Sequence, residues 1–168
     1  KAHSADAEFQ AQGCGLLASL LSLKKNAEKA VQLKCTCGLS QVVYALKKFP
    51  SDASVQAAGM EVLCNVVACN PEFSFVCESM KIAVLNMCKM CGDSRVVSTA
   101  LTLLRNMTFR DPLDQQFICF GGLAAVVGYA RMDPLSPVCP LALSVLAVAL
   151  ESKLCLKTFV ATWPGLLP

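Results

Sequence analysis

Residues 55–67, VQAAGMEVLCNVV, and residues 96–108, VVSTALTLLRNMT, are two copies of one pattern. Each opens on Val, reaches a small residue four positions on (Gly59, Ala100) and a leucine four further (Leu63, Leu104), then Asn65 or Asn106. Positions four apart share one face of an α-helix, so the small residue and the leucine belong to one buried stripe. The same frame fits FQAQGCGLLASLL from Phe9, with Gly13 and Leu17, and VCPLALSVLAVAL from Val138, with Ala142 and Leu146. The four starts, near 9, 55, 96 and 138, are 46, 41 and 42 residues apart, a period that marks stacked helical repeats.

A second series runs between the members of the first. Gly38-Leu39, Lys81-Ile82, Gly122-Leu123 and Gly165-Leu166 recur at steps of 43, 41 and 43. The first three are expected to open a short apolar helix leading into the next member of the first series. A third, shorter helix per unit is announced by capping residues: Asn70-Pro71-Glu72 and Asp111-Pro112 place a cap before proline, and Asn26 and Ser152 can cap the other two. Pro50-Ser51-Asp52, Gly92-Asp93 and Asp133-Pro134 read as turns. The unit is therefore three helices in about 42 residues. No unit of that size closes its own apolar face, whereas a stack of them does.

Composition agrees with a packed domain. The chain has 168 residues, 55% of them hydrophobic and 16% charged, with a mean hydropathy of +0.52. Disorder, which needs low hydrophobicity and high net charge, is excluded. The longest apolar runs, Phe117 to Ala130 and Val138 to Leu150, fall short of the roughly 20 residues of a spanning helix. Fifteen basic against twelve acidic residues leave +3, with tight basic pairs only at Lys24-Lys25 and Lys47-Lys48. That reads as a solvated helix face, so nucleic acid or a membrane surface is not the expected partner. Eleven cysteines, with Cys14, Cys64, Cys69, Cys119 and Cys139 inside apolar helical patterns, suit a small buried hydrophobe. A reducing compartment, cytoplasmic or nuclear, is the expectation.

The segments VQAAGMEVLCNVVA and VVSTALTLLRNMT resemble the third helix of the armadillo repeat, and the Gly-Leu openings at Gly122 and Gly165 resemble the start of its second helix. The resemblance covers essentially the whole chain. It implies an all-α, right-handed superhelical solenoid of about three and a half three-helix repeats. Residues 1–168 would be a single armadillo-like domain, a fragment of a longer array. The family's third helices line a concave groove in which an asparagine binds the backbone of an extended peptide, one amide supplying donor and acceptor. By position that ladder is Asn65 and Asn106, with Ser19 and Val148 in the matching places of the other two repeats. Importin-alpha proteins add a Trp four residues earlier; here Gly15, Glu61, Thr102 and Ser144 stand there, so an import receptor of that kind is not expected. Helical spacing adds Gln12, Ala58, Thr99 and Leu141 one turn before and Arg110 one turn after. The alternative role for Asn65 and Asn106 is to bond neighbouring repeats and hold the stack.

Catalysis finds little footing. The single histidine, His3, lies in a terminal stretch, and a cysteine or serine nucleophile needs a base beside it. Cys35-x-Cys37 with Cys88-x-x-Cys91 has the look of a zinc site, but the repeat register puts the two pairs at opposite ends of their elements. Gly13-x-Gly15 and Gly121-Gly122 follow no strand and lack the Gly-Lys-Ser/Thr of a phosphate loop. Asn106-Met107-Thr108 matches a glycosylation pattern but falls on a helix. Met60, Met80, Met87, Met90 and Met107 read as core.

The expectation is thus a non-catalytic protein–protein interaction scaffold without cofactor, metal or small-molecule substrate. It would bind a protein or extended peptide along the groove of Gln12, Ser19, Glu61, Asn65, Thr99, Thr102, Asn106 and Arg110. The alternative is a structural or regulatory segment of a larger multidomain protein or assembly, packed through the ends of the solenoid.

Overall fold

The structure, a computed structural model, describes residues 6–22, 38–69, 76–107, 109, 112–132 and 135–164. Among the described residues it is all-helical, with no strand. The helices are α1 (Ala7–Ser22), α2 (Gly38–Lys48), α3 (Ala53–Cys69), α4 (Val76–Lys89), α5 (Ser94–Arg105), α6 (Leu113–Cys119), α7 (Gly122–Ala130), α8 (Cys139–Ala149) and α9 (Lys153–Thr162).

Short polar side chains begin α3, α5 and α9 by accepting from otherwise unpaired amides. Asp52 Oδ1 accepts from the Val55 amide at 2.9 Å, Asp93 Oδ1 from Arg95 and Val96 at 3.0 Å, and Ser152 Oγ from Leu154 at 3.2 Å. Between α6 and α7 the chain turns through Gly121 at φ 76°, a left-handed conformation that glycine adopts without a Cβ penalty.

The four helices that share the repeated pattern are spatial neighbours in chain order: α1 lies on α3, α3 on α5, and α5 on α8. Each of the last three is backed by the helix before it, α2 on α3, α4 on α5 and α7 on α8, while α6 touches α4, α7 and α9. The core runs unbroken between these rows, through Met60 and Leu63 of α3, Met80 and Met87 of α4, Leu101 and Leu104 of α5, Phe117 of α6 and Val126 of α7. The small position of α3 is where its backing helix comes close. A Cβ on Gly59 would stand 2.7 Å from Leu46 Cδ2, so only glycine leaves room for that leucine in its present place.

Several local expectations change. Helix α4 starts at Val76 rather than at Lys81-Ile82, because Val76, Met80, Ala83 and Met87 form one apolar stripe that holds the additional turn against the core. Helix α5 stops at Arg105 and Asn106 is its C-cap, so the Asn106-Met107 pair lies past the helix. Cys14, Cys64 and Cys139 are buried, but Cys69 and Cys119 are exposed, at helix ends where the adjoining Ala68 and Phe120 are exposed as well. Of the methionines named above, Met90 is only partly buried. The signals at Asn26, Asn70-Pro71-Glu72, Asp111, Asp133-Pro134 and Gly165-Leu166 lie outside the described residues, as do His3, Lys24, Lys25, Cys35, Cys37, Thr108 and Arg110.

Candidate functional site

On α3 the solvent-facing stripe is narrow: Ser54, Glu61 and Ala68 are exposed and Asn65 half-buried, while most other positions are enclosed. The matching stripe on α5 is Arg95, Ser98, Thr99, Thr102, Arg105 and the Asn106 cap, and on α1 it includes Gln12 and Ser19. Because α1, α3 and α5 are successive neighbours, these stripes adjoin. Gln12, Ser19 and Glu61 are exposed; Asn65, Thr99, Thr102 and Asn106 are half-buried.

The two asparagines are engaged with the helix before them. Asn65 Nδ2 donates to the Ala18 carbonyl at 3.0 Å, and Asn106 Nδ2 donates to the Cys64 carbonyl at 3.5 Å. Ala18 directly precedes Ser19, and Cys64 directly precedes Asn65, so each donor reaches the residue just before its own counterpart one unit earlier. A single stagger between neighbouring helices produces both bonds. Each Asn amide has a second N–H and an oxygen beyond this bond.

The hydroxyls of the face bond back to their own helices. Ser19 Oγ donates to Gly15 O at 2.9 Å, Thr99 Oγ1 to Arg95 O at 2.8 Å, Thr102 Oγ1 to Ser98 O at 2.8 Å, and Ser144 Oγ to Leu141 O at 2.7 Å. Their donors are occupied and their lone pairs remain, so the stripe presents acceptors, the Glu61 carboxylate and the Arg95 and Arg105 guanidiniums. This chemistry suits hydrogen bonding to peptide amides and offers neither a nucleophile–base pair nor, among the described residues, a cluster able to hold a metal ion.

A second polar group, not anticipated from the sequence, is buried behind this face. Gln56 Nε2 donates to Leu46 O at 2.7 Å and Phe49 O at 2.8 Å, and Asn86 Nδ2 donates to Gln56 Oε1 at 2.6 Å. Gln56 thus terminates α2 by taking up carbonyls that have no helical partner, and Asn86 ties α4 to the same point. The only trace in the sequence is that Gln56 follows Val55 as Gln10 follows Phe9. Above them lies a cavity of about 260 Å³ rimmed by Lys47, Glu78, Lys81 and Lys89. Lys47 and Glu78 pair across it at 2.9 Å, an exposed contact of small energetic weight.

The thiols are set by their surroundings. Burial, with the Glu61 carboxylate second, pushes the Cys64 thiol up to about 12. Burial likewise raises Cys14 and Cys155. Cys88 and Cys91 are exposed around the end of α4, close enough to Tyr129 to add to the burial that raises its phenol, whose hydroxyl donates to Met87 O at 2.8 Å. Among the described residues no single helix is long and apolar enough to cross a membrane.

Comparisons with protein-family models, with curated proteins and with solved structures return no match.

Proposed function

We propose that the chain is an armadillo-like, right-handed helical solenoid of about three and a half repeats, and that it acts as a non-catalytic scaffold binding a protein segment along the face shared by α1, α3, α5 and α8. The observation that carries this reading is the repeated stagger. Asn65 and Asn106 reach carbonyls at equivalent positions of the preceding patterned helix, as expected of units related by one rigid translation and rotation. Such a stack exposes one stripe per unit at regular spacing, which suits an extended peptide. Glu61, Thr102, Gln12 and Thr99 would make the side-chain contacts. Asn65 and Asn106 would combine both roles, one N–H holding the stack and the remaining amide atoms facing the peptide.

The test uses substitutions that leave those stacking bonds in place. Extended peptides are selected from a displayed library against the folded chain in reducing buffer. They are then measured against Glu61→Arg and Thr102→Arg, each checked by circular dichroism. Selected peptides should lose about tenfold or more in affinity on at least one variant, since a misplaced charge on a contact surface costs a few kcal/mol. Failure to select any peptide, or affinities unchanged on both variants, would retire the groove.

A further inference from the structure

We propose that the lysine-rimmed cavity between α2 and α4 is a second docking surface, taken by an extended acidic segment of a partner protein with one apolar residue midway between two carboxylates. The surface lies on other helices than the groove and does not rest on that reading.

The three backing helices show what is particular to α4. In the register that opens at Gly38, Lys81 and Gly122, Leu85 of α4 matches Val42 of α2 and Val126 of α7. Val42 is 2% exposed and Val126 is fully enclosed, whereas Leu85 is 41% exposed. This position therefore carries its largest apolar side chain in the unit that leaves it bare. The places one turn to either side differ too. Where α2 has Gly38 and Leu46, and α7 has Gly122 and Ala130, α4 has Lys81 and Lys89. Lys81, Leu85 and Lys89 follow one another at four-residue steps, so they form one stripe of the helix. All three line the cavity of about 260 Å³, together with Lys47 and Pro50 from the α2 side and the buried Leu46 and Ile82.

Charge on the rim is unbalanced, with three lysines against Glu78. Glu78 shows that the rim holds a carboxylate, since it pairs with Lys47 at 2.9 Å. Lys81 stands 5.9 Å from the centre of the Phe120 ring, a contact that leaves its charge uncompensated, and among the described residues Lys89 has no ion pair. The acids nearest these lysines along the chain, Asp52 and Asp93, cap helices by accepting from Val55, Arg95 and Val96 amides. Two ammonium groups flanking an exposed leucine are thus left for a partner of opposite charge. Spacing selects its conformation. Lys81 and Lys89 are eight helical residues apart, about 12 Å along the axis. In extended chain, alternate side chains share a face and four residues span about 13 Å. Acids at the first and fifth positions therefore reach the two lysines while an apolar residue at the third lies on Leu85.

The probe is a fluorescein-labelled synthetic peptide, Glu-Thr-Leu-Thr-Glu between glycine–serine ends, titrated with the 168-residue chain at low salt and read by anisotropy. Saturable binding is expected, weakened about tenfold or more by Lys81→Glu or Lys89→Glu, because a like charge then meets one of the carboxylates. Glu78→Gln releases Lys47 and should tighten binding several-fold, a gain that a misfolded variant does not produce. Replacing the peptide's leucine by serine should weaken it several-fold. Arg105→Glu, the same charge reversal on the groove face, should leave binding unchanged, so that failure of the groove and failure of this site stay separate. Absence of saturable binding would overturn the proposal, as would equal losses on Lys81→Glu and Arg105→Glu, or equal binding of a peptide with glutamine for both glutamates. Displacement of the peptide by an equal concentration of single-stranded oligonucleotide would also overturn it, giving the lysines to nucleic acid. So would a chain that sediments as a dimer and becomes monomeric on Lys81→Glu, which would give this face to a second copy.

Discussion

Gly13 and Gly59 occupy the same place in the repeat, yet alanine at the two sites should move stability in opposite directions. Alanine in a helix interior is favoured over glycine by about 1 kcal/mol. At Gly13 nothing opposes that gain, because a Cβ there meets no atom within 4 Å. Gly13→Ala should therefore stabilise by about 0.5–1 kcal/mol. At Gly59 the new methyl would lie 2.7 Å from Leu46 Cδ2 and 2.9 Å from Leu46 Cγ. Ordinary carbon contacts are about 3.5–4.0 Å, so roughly 1 Å must be cleared. Leu46 is 2% exposed and borders the cavity beside Gln56, so part of the displacement goes that way and the rest falls on packed neighbours. Overpacking of this kind costs about 1–3 kcal/mol, which leaves a net loss of about 1 kcal/mol after the helical gain. The two variants should differ by about 2 kcal/mol, or roughly 4–8 °C in Tm for a chain of this size. Urea unfolding followed by far-UV circular dichroism measures both. The Leu46→Ala background supplies the control: with the leucine side chain cut back, Gly59→Ala should become neutral or stabilising. A Gly59→Ala protein as stable as Gly13→Ala, or one whose loss persists without Leu46, would refute the packing of α2 described above.

Three further outcomes follow from the polar and thiol groups. Asn65→Ala should lower stability by about 1 kcal/mol and Asn106→Ala by less, since the first bond is 3.0 Å and the second 3.5 Å; urea midpoints that reverse this order would count against the stagger. Gln56→Met keeps the side chain's length but strands the Leu46 carbonyl, leaving the Phe49 carbonyl only the Asp52 amide and Asn86 Nδ2 only the Met60 sulfur, and should cost about 1–3 kcal/mol, with hydrogen exchange at the end of α2 rising first. Cys64 stays protonated in the folded chain up to about 12, against an ordinary 9.0 when unfolded, so its contribution is complete below pH 9 and is lost as pH rises from there towards 12. The decline is about 1.4 kcal/mol per pH unit for this thiol, and Cys64→Ala should show a shallower fall in urea midpoint over that range.

Much of the helical framework was legible because it depends on neighbours along the chain. The small-residue and leucine spacing marks the buried stripes of α3 and α5, and Ser152 caps its helix as its sequence context suggests. The Lys81-Ile82 signal suggests a fresh helix there, but Val76, Met80, Ala83 and Met87 share one stripe and Val76–Lys89 is a single helix. Cys69 and Cys119 look internal from their apolar surroundings, yet both sit at helix ends that nothing among the described residues covers, beside exposed Ala68 and Phe120.

Helicity, the apolar faces of the helices and the interval at which the pattern returns are legible along the chain, since all three follow from periodicity and local capping. Tertiary structure alone decided how one helix is staggered against the next. That stagger brings Asn65 to Ala18 and Asn106 to Cys64 across 47 and 42 residues of chain, sets Leu46 over Gly59, and closes Gln56 and Asn86 into one buried group. It also separates Gly13 from Gly59, two glycines in the same sequence setting, one covered and one open. Burial depends on what the rest of the chain lays against a residue, and local sequence does not carry that information.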